Sequence, residues 1–252
     1  MNLQAYPRFD SWESQLLQKL LDTPDLRFLW AMQETSGSQV KDYSGNARHG
    51  AYDGVTLNQN APNRRINKMA IFDGINDKIT PAAGCSVRGL GVFTWFAILE
   101  ILNLGSNQII WAESVSDADT AGQARFAVYK IGTNETLNVS VRSGGKSQAA
   151  SSLVSNTALP VGICMAHIAV DIPSDTVVLY RNGSVVASTT SVNFGTDIII
   201  SDTAPALGPH FGRGVLDSAP SWYSGKAGYC GMYSRILTPT EILNHAKAGG
   251  FA

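Results

Sequence analysis

Hydrolysis of a glycosidic bond needs two carboxylates about 5 to 10 Å apart on either side of the bond, and the glutamates of this chain do not supply such a pair. On a β-strand, side chains two or four residues apart lie on the same face, which would give a suitable separation. None of the six glutamates has a second carboxylate at that spacing within a predicted strand: Glu13, Glu34, Glu100, Glu113, Glu135 and Glu241. The spacing argues against a glycoside hydrolase.

Histidine and cysteine also lack the spacings that chemistry needs. The four histidines are scattered, and none stands in a metal-binding spacing with a cysteine or another histidine: His49, His167, His210 and His245. The sequence has no Gly-x-Ser-x-Gly nucleophile elbow and no glycine-rich phosphate loop. His167 alternates with Ala166 and Ile168, which is typical of a core or sub-surface histidine. Of the three cysteines, Cys164 and Cys230 lie in apolar runs and are predicted to be small core residues.

One short loop carries the oxygen ligands that a calcium ion prefers. Asp42, Asn46 and nearby carbonyl groups lie on a turn that contains Gly45, and Ca²⁺ binds such hard oxygen ligands. The alternative is an Asx-turn, in which the Asp42 side chain accepts hydrogen bonds from the amides of Ser44 or Gly45. We expect a structural calcium site or this turn.

The segment Pro209–Lys226 has the composition of a ligand-binding loop. It combines aromatic, basic and acidic side chains with Gly, Ser and Pro: His210, Phe211, Arg213, Asp217, Trp222 and Tyr223. Aromatic faces pack on the C–H surfaces of sugars, while Arg and Asp hydrogen-bond hydroxyl groups, so the segment predicts a glycan site. The alternative is that Trp222 and Tyr223 cover one end of the fold. Tyr43 and Tyr52 are a second candidate.

The composition fits a β-rich domain and excludes some partners. Hydrophobic residues make up 44% of the 252 residues, enough for a full core, whereas charged residues make up only 15%. The formal net charge is −1, and Arg64 and Arg65 are the nearest approach to a basic cluster, so nucleic acid is not expected as a partner. No stretch of the sequence has the length of a membrane span.

Short apolar runs separated by turn residues predict an all-β fold. The predicted strands are Leu26–Gln33, Lys68–Phe72, Phe93–Leu99, Gln108–Ala112, Arg125–Lys130, Leu137–Val141, Ala166–Ile172, Thr176–Tyr180 and Ser184–Ser188. Between the last two, Asn182-Gly183 predicts a two-residue type I′ hairpin. Many short strands and little helix favour an antiparallel two-sheet jelly-roll sandwich.

Two short helices are expected at the ends of the chain. Ser11–Leu21 is amphipathic, and its apolar face could pack on the sandwich or anchor the domain to a partner; the predicted anchoring residues are Trp12, Leu16, Leu17 and Leu20. Near the other end, Thr238, Pro239 and Glu241 predict a capped helix start. We therefore divide the chain into a helical segment over residues 1–25 and a sandwich over residues 26–252.

Four stretches, in this order, resemble the laminin G-like jelly-roll family of the concanavalin A-like superfamily. They are Trp30–Glu34 with Asp42–Gly50, Ala70–Ile79, His167–Asp171 with Leu179–Gly183, and the closing Tyr233–Thr238 with its helix. Two features depart from the family pattern. Cys164-Met165-Ala166 replaces a usual aromatic residue, and Gly228-Tyr229 stands where an acidic pair supports the first loop. The second departure speaks against carrying over a metal site from the family.

The resemblance implies a module that recognises carbohydrate or protein surfaces, and the glucanases of the superfamily carry a Glu-x-Asp-x-x-Glu strand that is absent here. Family members are usually exported, yet the sequence starts without a basic or apolar leader. A bacteriophage virion component (a capsid decoration, fibre or tail protein) would reconcile the two. Its partners would be other virion proteins or further copies of itself, with a cell-surface glycan as ligand. The alternatives are an extracellular lectin-like module and a glycoside hydrolase.

Overall fold

The computed structural model describes residues 12–82, 84–102, 107–114, 125–131, 136–142, 151–154, 162–190, 207–213 and 221–252. These residues form helices α1 (Trp12–Asp22) and α2 (Pro239–Ala248). The strands between them are β1 (Leu26–Trp30), β2 (Gln39–Val40), β3 (Gly50–Asp53), β4 (Thr56–Asn60), β5 (Lys68–Asp73), β6 (Lys78–Pro81), β7 (Val92–Ile101), β8 (Gln108–Ser114), β9 (Arg125–Ile131), β10 (Thr136–Arg142), β11 (Ser151–Val154), β12 (Ile163–Asp171), β13 (Thr176–Arg181), β14 (Ser184–Thr189), β15 (Leu207–Phe211) and β16 (Ser224–Tyr233).

The strands form two antiparallel sheets, which confirms the predicted all-β two-sheet sandwich. Sheet A has the order β14-β13-β12-β7-β16-β5-β4, and β1 also pairs with β16. Sheet B has the order β11-β10-β9-β8-β15-β6-β3-β2. Strands that are distant in sequence, such as β7 and β16, lie side by side at the centre of sheet A. The fold therefore depends on long-range pairing.

All nine strands predicted from apolar runs are present, with ends that differ by at most three residues. The hairpin between β13 and β14 is confirmed as well. Asn182 and Gly183 have φ values of 51° and 86°, and Arg181 pairs with Ser184 across the two-residue turn. The Asn182 side chain accepts a hydrogen bond of 2.9 Å from the Met165 amide, which ties the turn to β12.

Large aromatic side chains fill the space between the sheets. Phe28 and Trp30 of β1 and Trp95 of β7 all lie within about 6 Å, ring to ring, of Trp111 of β8, with centroid distances of 5.9, 6.2 and 6.2 Å. All four are fully buried. Burial of each such side chain stabilises the fold by roughly 1.5–3 kcal/mol or more. This cluster joins the two sheets.

The two helices cover the outer face of sheet A as a third layer. Leu16 and Leu20 of α1 are fully buried against Ile242 of α2 and Phe96 and Tyr233 of the sheet. The Tyr233 hydroxyl donates a hydrogen bond of 2.9 Å to the Leu20 carbonyl.

This layer corrects one prediction about the first helix. The prediction that Leu16 and Leu20 anchor a partner is wrong, because their apolar surfaces are already covered within the chain. Leu17 is partly buried and packs on the same cluster, whereas the Trp12 side chain lies outside the described residues.

The predicted start of α2 is confirmed. Thr238 accepts a hydrogen bond from the Glu241 amide, and the Glu241 carboxylate accepts one from the Thr238 amide, which is a capping box with Pro239 in the first turn. Arg235 holds the same carboxylate with two nitrogen–oxygen contacts of 2.6 and 3.0 Å. In the described part of the chain, neither helix is long and apolar enough to cross a membrane.

Candidate binding site

Trp222 and Arg213 lie together at one end of the sandwich. They form an isolated antiparallel bridge between the end of β15 and the start of β16, and the Arg213 guanidinium carbon lies 5.5 Å from the centre of the Trp222 ring. A cation at this distance is attracted to the ring face. Both side chains are partly exposed. The structure therefore brings together two of the predicted ligand-binding residues.

Two exposed hydrophobic side chains belong to the same end of the sandwich. Ile75 is 70% exposed in the turn after β5, and Leu102 is 49% exposed after β7. The Leu102 amide donates to the Ser224 carbonyl at 3.1 Å, and Ser224 pairs with Asp73, the last residue of β5. We call Ile75, Leu102, Arg213 and Trp222 the Trp222 tip. Exposed apolar groups beside polar ones are typical of a contact surface.

The turn that presents Ile75 is fixed by two aspartates. The Asp73 carboxylate accepts hydrogen bonds from the Ile75 and Asn76 amides at 2.7 and 3.2 Å, and the Asp77 carboxylate accepts one from the Asp73 amide at 2.8 Å. Burial raises the pKa of Asp77, and the charges of the neighbouring aspartates act in the same direction, against the Asp73 hydrogen bond. These bonds fix the backbone of the turn in which the Ile75 side chain is exposed to solvent.

Tyr223 is a core residue, so its prediction as a ligand contact is wrong. It is fully buried and its ring centre lies 5.5 Å from Phe72 and 6.1 Å from Phe211. Its hydroxyl lies 3.0 and 2.8 Å from the carbonyl oxygens of Glu100 and Lys226, within hydrogen-bonding distance of both. Burial raises the pKa of this hydroxyl well above its usual range. The alternative interpretation, that Tyr223 closes one end of the fold, is confirmed.

The loop predicted over Pro209–Lys226 is shorter than expected. Pro209–Phe211 belongs to β15 and Ser224–Lys226 to β16, so strand pairing begins inside the segment. His210 lies in β15 opposite Ala112 of β8 and is partly buried. Asp217 lies outside the described residues. Trp222 and Arg213 therefore remain as the described pair that can face a ligand.

The Asp42 carboxylate organises the first loop through hydrogen bonds. It accepts the amides of Leu29, Ser44 and Arg48 at 2.9, 3.0 and 2.8 Å, and also the Ser44 hydroxyl at 2.8 Å. The Asn46 side-chain amide donates to the Arg27 carbonyl at 2.9 Å. The bond from the Ser44 amide is the predicted Asx-turn. The calcium site at Asp42 and Asn46 stays a prediction, and these donors occupy the Asp42 oxygens that it would use.

The second aromatic candidate does not form an exposed platform. Tyr52 is largely buried and donates a hydrogen bond of 2.7 Å to the Glu34 carboxylate. Tyr43 is partly buried, with the Lys41 ammonium nitrogen 5.0 Å from its ring centre. Tyr52 thus belongs to the core, and its prediction as a ligand contact is wrong.

The glutamates that the structure describes in full have structural partners. Glu34 accepts from Tyr52 and from the Lys41 amide, Glu100 pairs with Lys226 at 3.0 Å, and Glu241 is held by Arg235. Glu113 is fully buried and accepts hydrogen bonds from the Ser86 hydroxyl and the Val87 amide. Burial raises the pKa of Glu113 to about 7, but a sealed carboxyl cannot reach a sugar.

No protein-family model and no curated protein sequence matches the chain. Solved structures do. The botulinum neurotoxin serotype D binding domain superimposes with a TM-score of 0.64 at 14% identity, over 88% of this chain and 51% of that one. The binding domain of Paraclostridial Mosquitocidal Protein 1 gives 0.61 at 15% identity, over 89% and 52%. Trypanosoma rangeli sialidase gives 0.58 at 14% identity, over 89% and 33%.

These likenesses concern the fold alone. The chain spans about half the length of the toxin binding domains and a third of the sialidase. At such low identity they support a two-sheet β-sandwich fold and transfer no residue roles. Membership of the laminin G-like family stays a prediction from the sequence motifs.

Proposed function

We propose that this chain is a non-catalytic binding module that recognises a cell-surface glycan through the Trp222 tip. The observation that carries the proposal is the partly exposed Trp222 ring with the Arg213 guanidinium beside it, at an end of the sandwich. The ring offers an apolar face to sugar C–H groups, and the guanidinium offers hydrogen-bond donors to hydroxyls. The toxin structures that share the fold are described as binding domains, which supports a recognition role.

The absence of catalysis is part of the proposal. It rests on the described glutamates, which hold amides, hydroxyls or cations of the fold and do not form a pair across a cleft. The assignment to a bacteriophage virion stays a prediction. Burial of Leu16 and Leu20 removes one argument for it, since α1 would have to leave the sandwich before it could anchor the domain.

Glycan-array binding of the intact chain and of Trp222→Ala tests the proposal. We expect at least one class of immobilised glycan to bind, and Trp222→Ala to weaken that binding by about ten-fold or more, because loss of a stacking face costs on the order of 1.4 kcal/mol. Tyr43→Ala is the matched control, since Tyr43 also carries a cation over its ring, but in the first loop.

Two outcomes would count against this function. Binding that survives Trp222→Ala but is lost in Tyr43→Ala would place the ligand at the first loop. Release of reducing sugar from a bound glycan, abolished by Glu113→Gln, would show that the chain is a hydrolase.

A further inference from the structure

A cluster of arginines lies at the end of the sandwich opposite to the Trp222 tip. Strand β8 joins the two ends. Its first residue, Gln108, accepts a hydrogen bond from the Ser224 amide next to Trp222, and Glu113 near its other end bonds Ser86 and Val87. Five residues of extended chain span about 17 Å, so the two regions are separate. We call Arg27, Arg48 and Arg88, around residues 84–88, the arginine end.

The guanidinium groups of Arg27 and Arg48 both lie beside Gly84. Arg27 donates to the Gly84 carbonyl at 3.2 Å, and Arg48 donates to the Arg27 carbonyl at 2.9 Å. Gly84 has φ of +95°, and a Cβ atom there would lie 2.8 Å from Nε of Arg48. The positive φ favours glycine at this position, and a Cβ atom there would displace the Arg48 guanidinium. Burial lowers the pKa of Arg27, and the charge of Arg48 acts in the same direction, against those of Cys85 and Glu113.

In the described part of the chain, neither of the nearby carboxyl groups, Asp42 and Glu113, forms a salt bridge with Arg27 or Arg48. Asp42 is occupied by three amides and a hydroxyl, and Glu113 by Ser86 and Val87. Within the residues that the structure describes, the side-chain hydrogen bonds of Arg27 and Arg48 go to carbonyl oxygens, and Nε of Arg27 has no acceptor. Each guanidinium has five N–H donors, and because Nε of Arg27 is buried, the terminal nitrogens supply the donors that a ligand could reach. Both side chains are partly exposed.

We propose that Arg27 and Arg48 bind an oxyanion, a carboxylate, sulfate or phosphate group of an acidic ligand, at the arginine end. Guanidinium forks match the oxygen spacing of such groups and form short, charge-assisted hydrogen bonds with them. An anion between the two forks also offsets the repulsion of two like charges held side by side. Arg88 follows in the same loop, and its charge, like that of Arg27, lowers the pKa of Glu113. The site is independent of the glycan proposed at the Trp222 tip.

Titration calorimetry of the intact chain with inorganic phosphate tests the site. We expect saturable binding that Arg48→Gln weakens by about ten-fold or more, the effect of losing one charge-assisted pair. Arg64→Gln is the matched control, because it removes the same charge from an exposed arginine elsewhere and should change affinity by less than about two-fold. Gly84→Ala should also weaken binding, since its Cβ displaces Arg48 without changing any charge. Trp222→Ala should bind phosphate normally.

The contrary results are distinct. Absence of saturable binding, or an equal loss in Arg64→Gln, overturns the site and leaves only general charge attraction. If thermal melting shows that Arg48→Gln does not fold, Arg48→Lys is tested in its place, because it keeps the charge and loses the planar guanidinium. Undiminished phosphate binding by Arg48→Lys would then reject recognition by the guanidinium of Arg48. Competition of acetate and of sulfate against phosphate shows whether the site prefers a planar or a tetrahedral group.

Discussion

Acidification is expected to loosen the helix layer through two buried histidines. His167 of β12 and His245 of α2 are fully buried, stack with ring centres 5.5 Å apart, and also face Phe96 and Tyr233. Nε2 of His167 lies 3.3 Å from Nδ1 of His245, and Nε2 of His245 lies 2.9 Å from the Thr23 hydroxyl. These contacts join sheet A, α2 and the end of α1.

The hydrogen-bond directions require the His245 ring to be neutral, and burial favours the neutral form of His167. The Thr23 hydroxyl donates to the Lys19 carbonyl at 2.9 Å, so it accepts from Nε2–H of His245. Nδ1 of His245 is then the acceptor for Nε2–H of His167. A proton added to Nδ1 of His245 would set two N–H groups against each other in a buried place.

Burial is the main cause of the lowered pKa values. It lowers the pKa of His245 to about 4 from the ordinary 6.5, and the charges of Lys19 and Arg235 act in the same direction, against Glu241. It lowers the pKa of His167 well below 6.5, with His245 adding to the effect. Between pH 6.5 and 4 these two histidines therefore bind more protons in the unfolded chain than in the folded one. Stability from these groups is complete above about pH 6.5 and falls as the pH decreases.

The magnitude at about pH 5 follows from these values. The lowered pKa of His245 costs about 2 kcal/mol of unfolding free energy at this pH, which is a large part of the stability of many domains, and His167 adds to the loss. Glu113 opposes this, because its folded pKa of about 7 exceeds the unfolded 4.5, so protonation stabilises the folded state in the same range. That gain is about 2–3 kcal/mol. The wild-type curve alone therefore mixes the two effects.

A pair of variants separates the histidine effect from that of Glu113. Urea unfolding is measured from about pH 7.5 to 5 for wild type, His167→Gln and Ile242→Val. His167→Gln should flatten the acid loss by about 1.4 kcal/mol per pH unit below pH 6, the slope of one proton. Ile242→Val, in the same layer, should lower stability by about 1 kcal/mol at every pH. Parallel curves for wild type and His167→Gln would refute the neutral buried pair.

Three further predictions concern stability, measured by thermal or urea unfolding. Trp30→Phe should cost about 1 kcal/mol more than Trp111→Phe. The reason is that Nε1 of Trp30 donates to the Arg48 carbonyl at 2.9 Å, whereas Nε1 of Trp111 is buried without a partner in the described residues. Equal losses of stability in the two variants would contradict this. Glu241→Gln should cost about 1 kcal/mol at neutral pH through the capping box and the Arg235 contact. Since Arg235 lowers the pKa of Glu241 to about 2, that difference should vanish only as the pH falls from 4.5 towards 2. Gly225→Ala should prevent folding or cost more than about 3 kcal/mol, because its Cβ would overlap the Glu100 carbonyl on β7, and a variant that melts like wild type would reject that packing.

Local signals explain why much of the fold could be predicted. The hairpin at Asn182-Gly183 and the start of α2 depend on residues within four positions of each other, and both were predicted correctly. Strands without an apolar run were not predicted. Thr56–Asn60 has Leu57 as its one apolar residue and forms a strand because β5 offers it a partner edge, and Pro209 interrupts the pattern of β15.

The candidate site shows the same limit. Trp222 and Tyr223 are adjacent aromatic residues of equal promise in the sequence, yet strand alternation sends Tyr223 into the core and leaves Trp222 outside. A predicted strand that began at Trp222, two residues before β16, would have placed the Trp222 and Tyr223 side chains on opposite faces of the sheet. Nothing local could have joined His167 with His245, or Arg27 with Gly84, because each pair meets only when distant segments pack.

The layers of the fold explain why recognition is proposed at its two ends. The central strands β7 and β12 of sheet A are buried on both faces, by sheet B on one side and by the helix layer on the other, so their residues are mostly apolar. Polar side chains in such strands must find partners inside, as His167 does with His245. Arg213 beside Trp222 and Arg27 beside Arg48 both occupy strand ends, and this arrangement lets either group change without loss of the core that supports it.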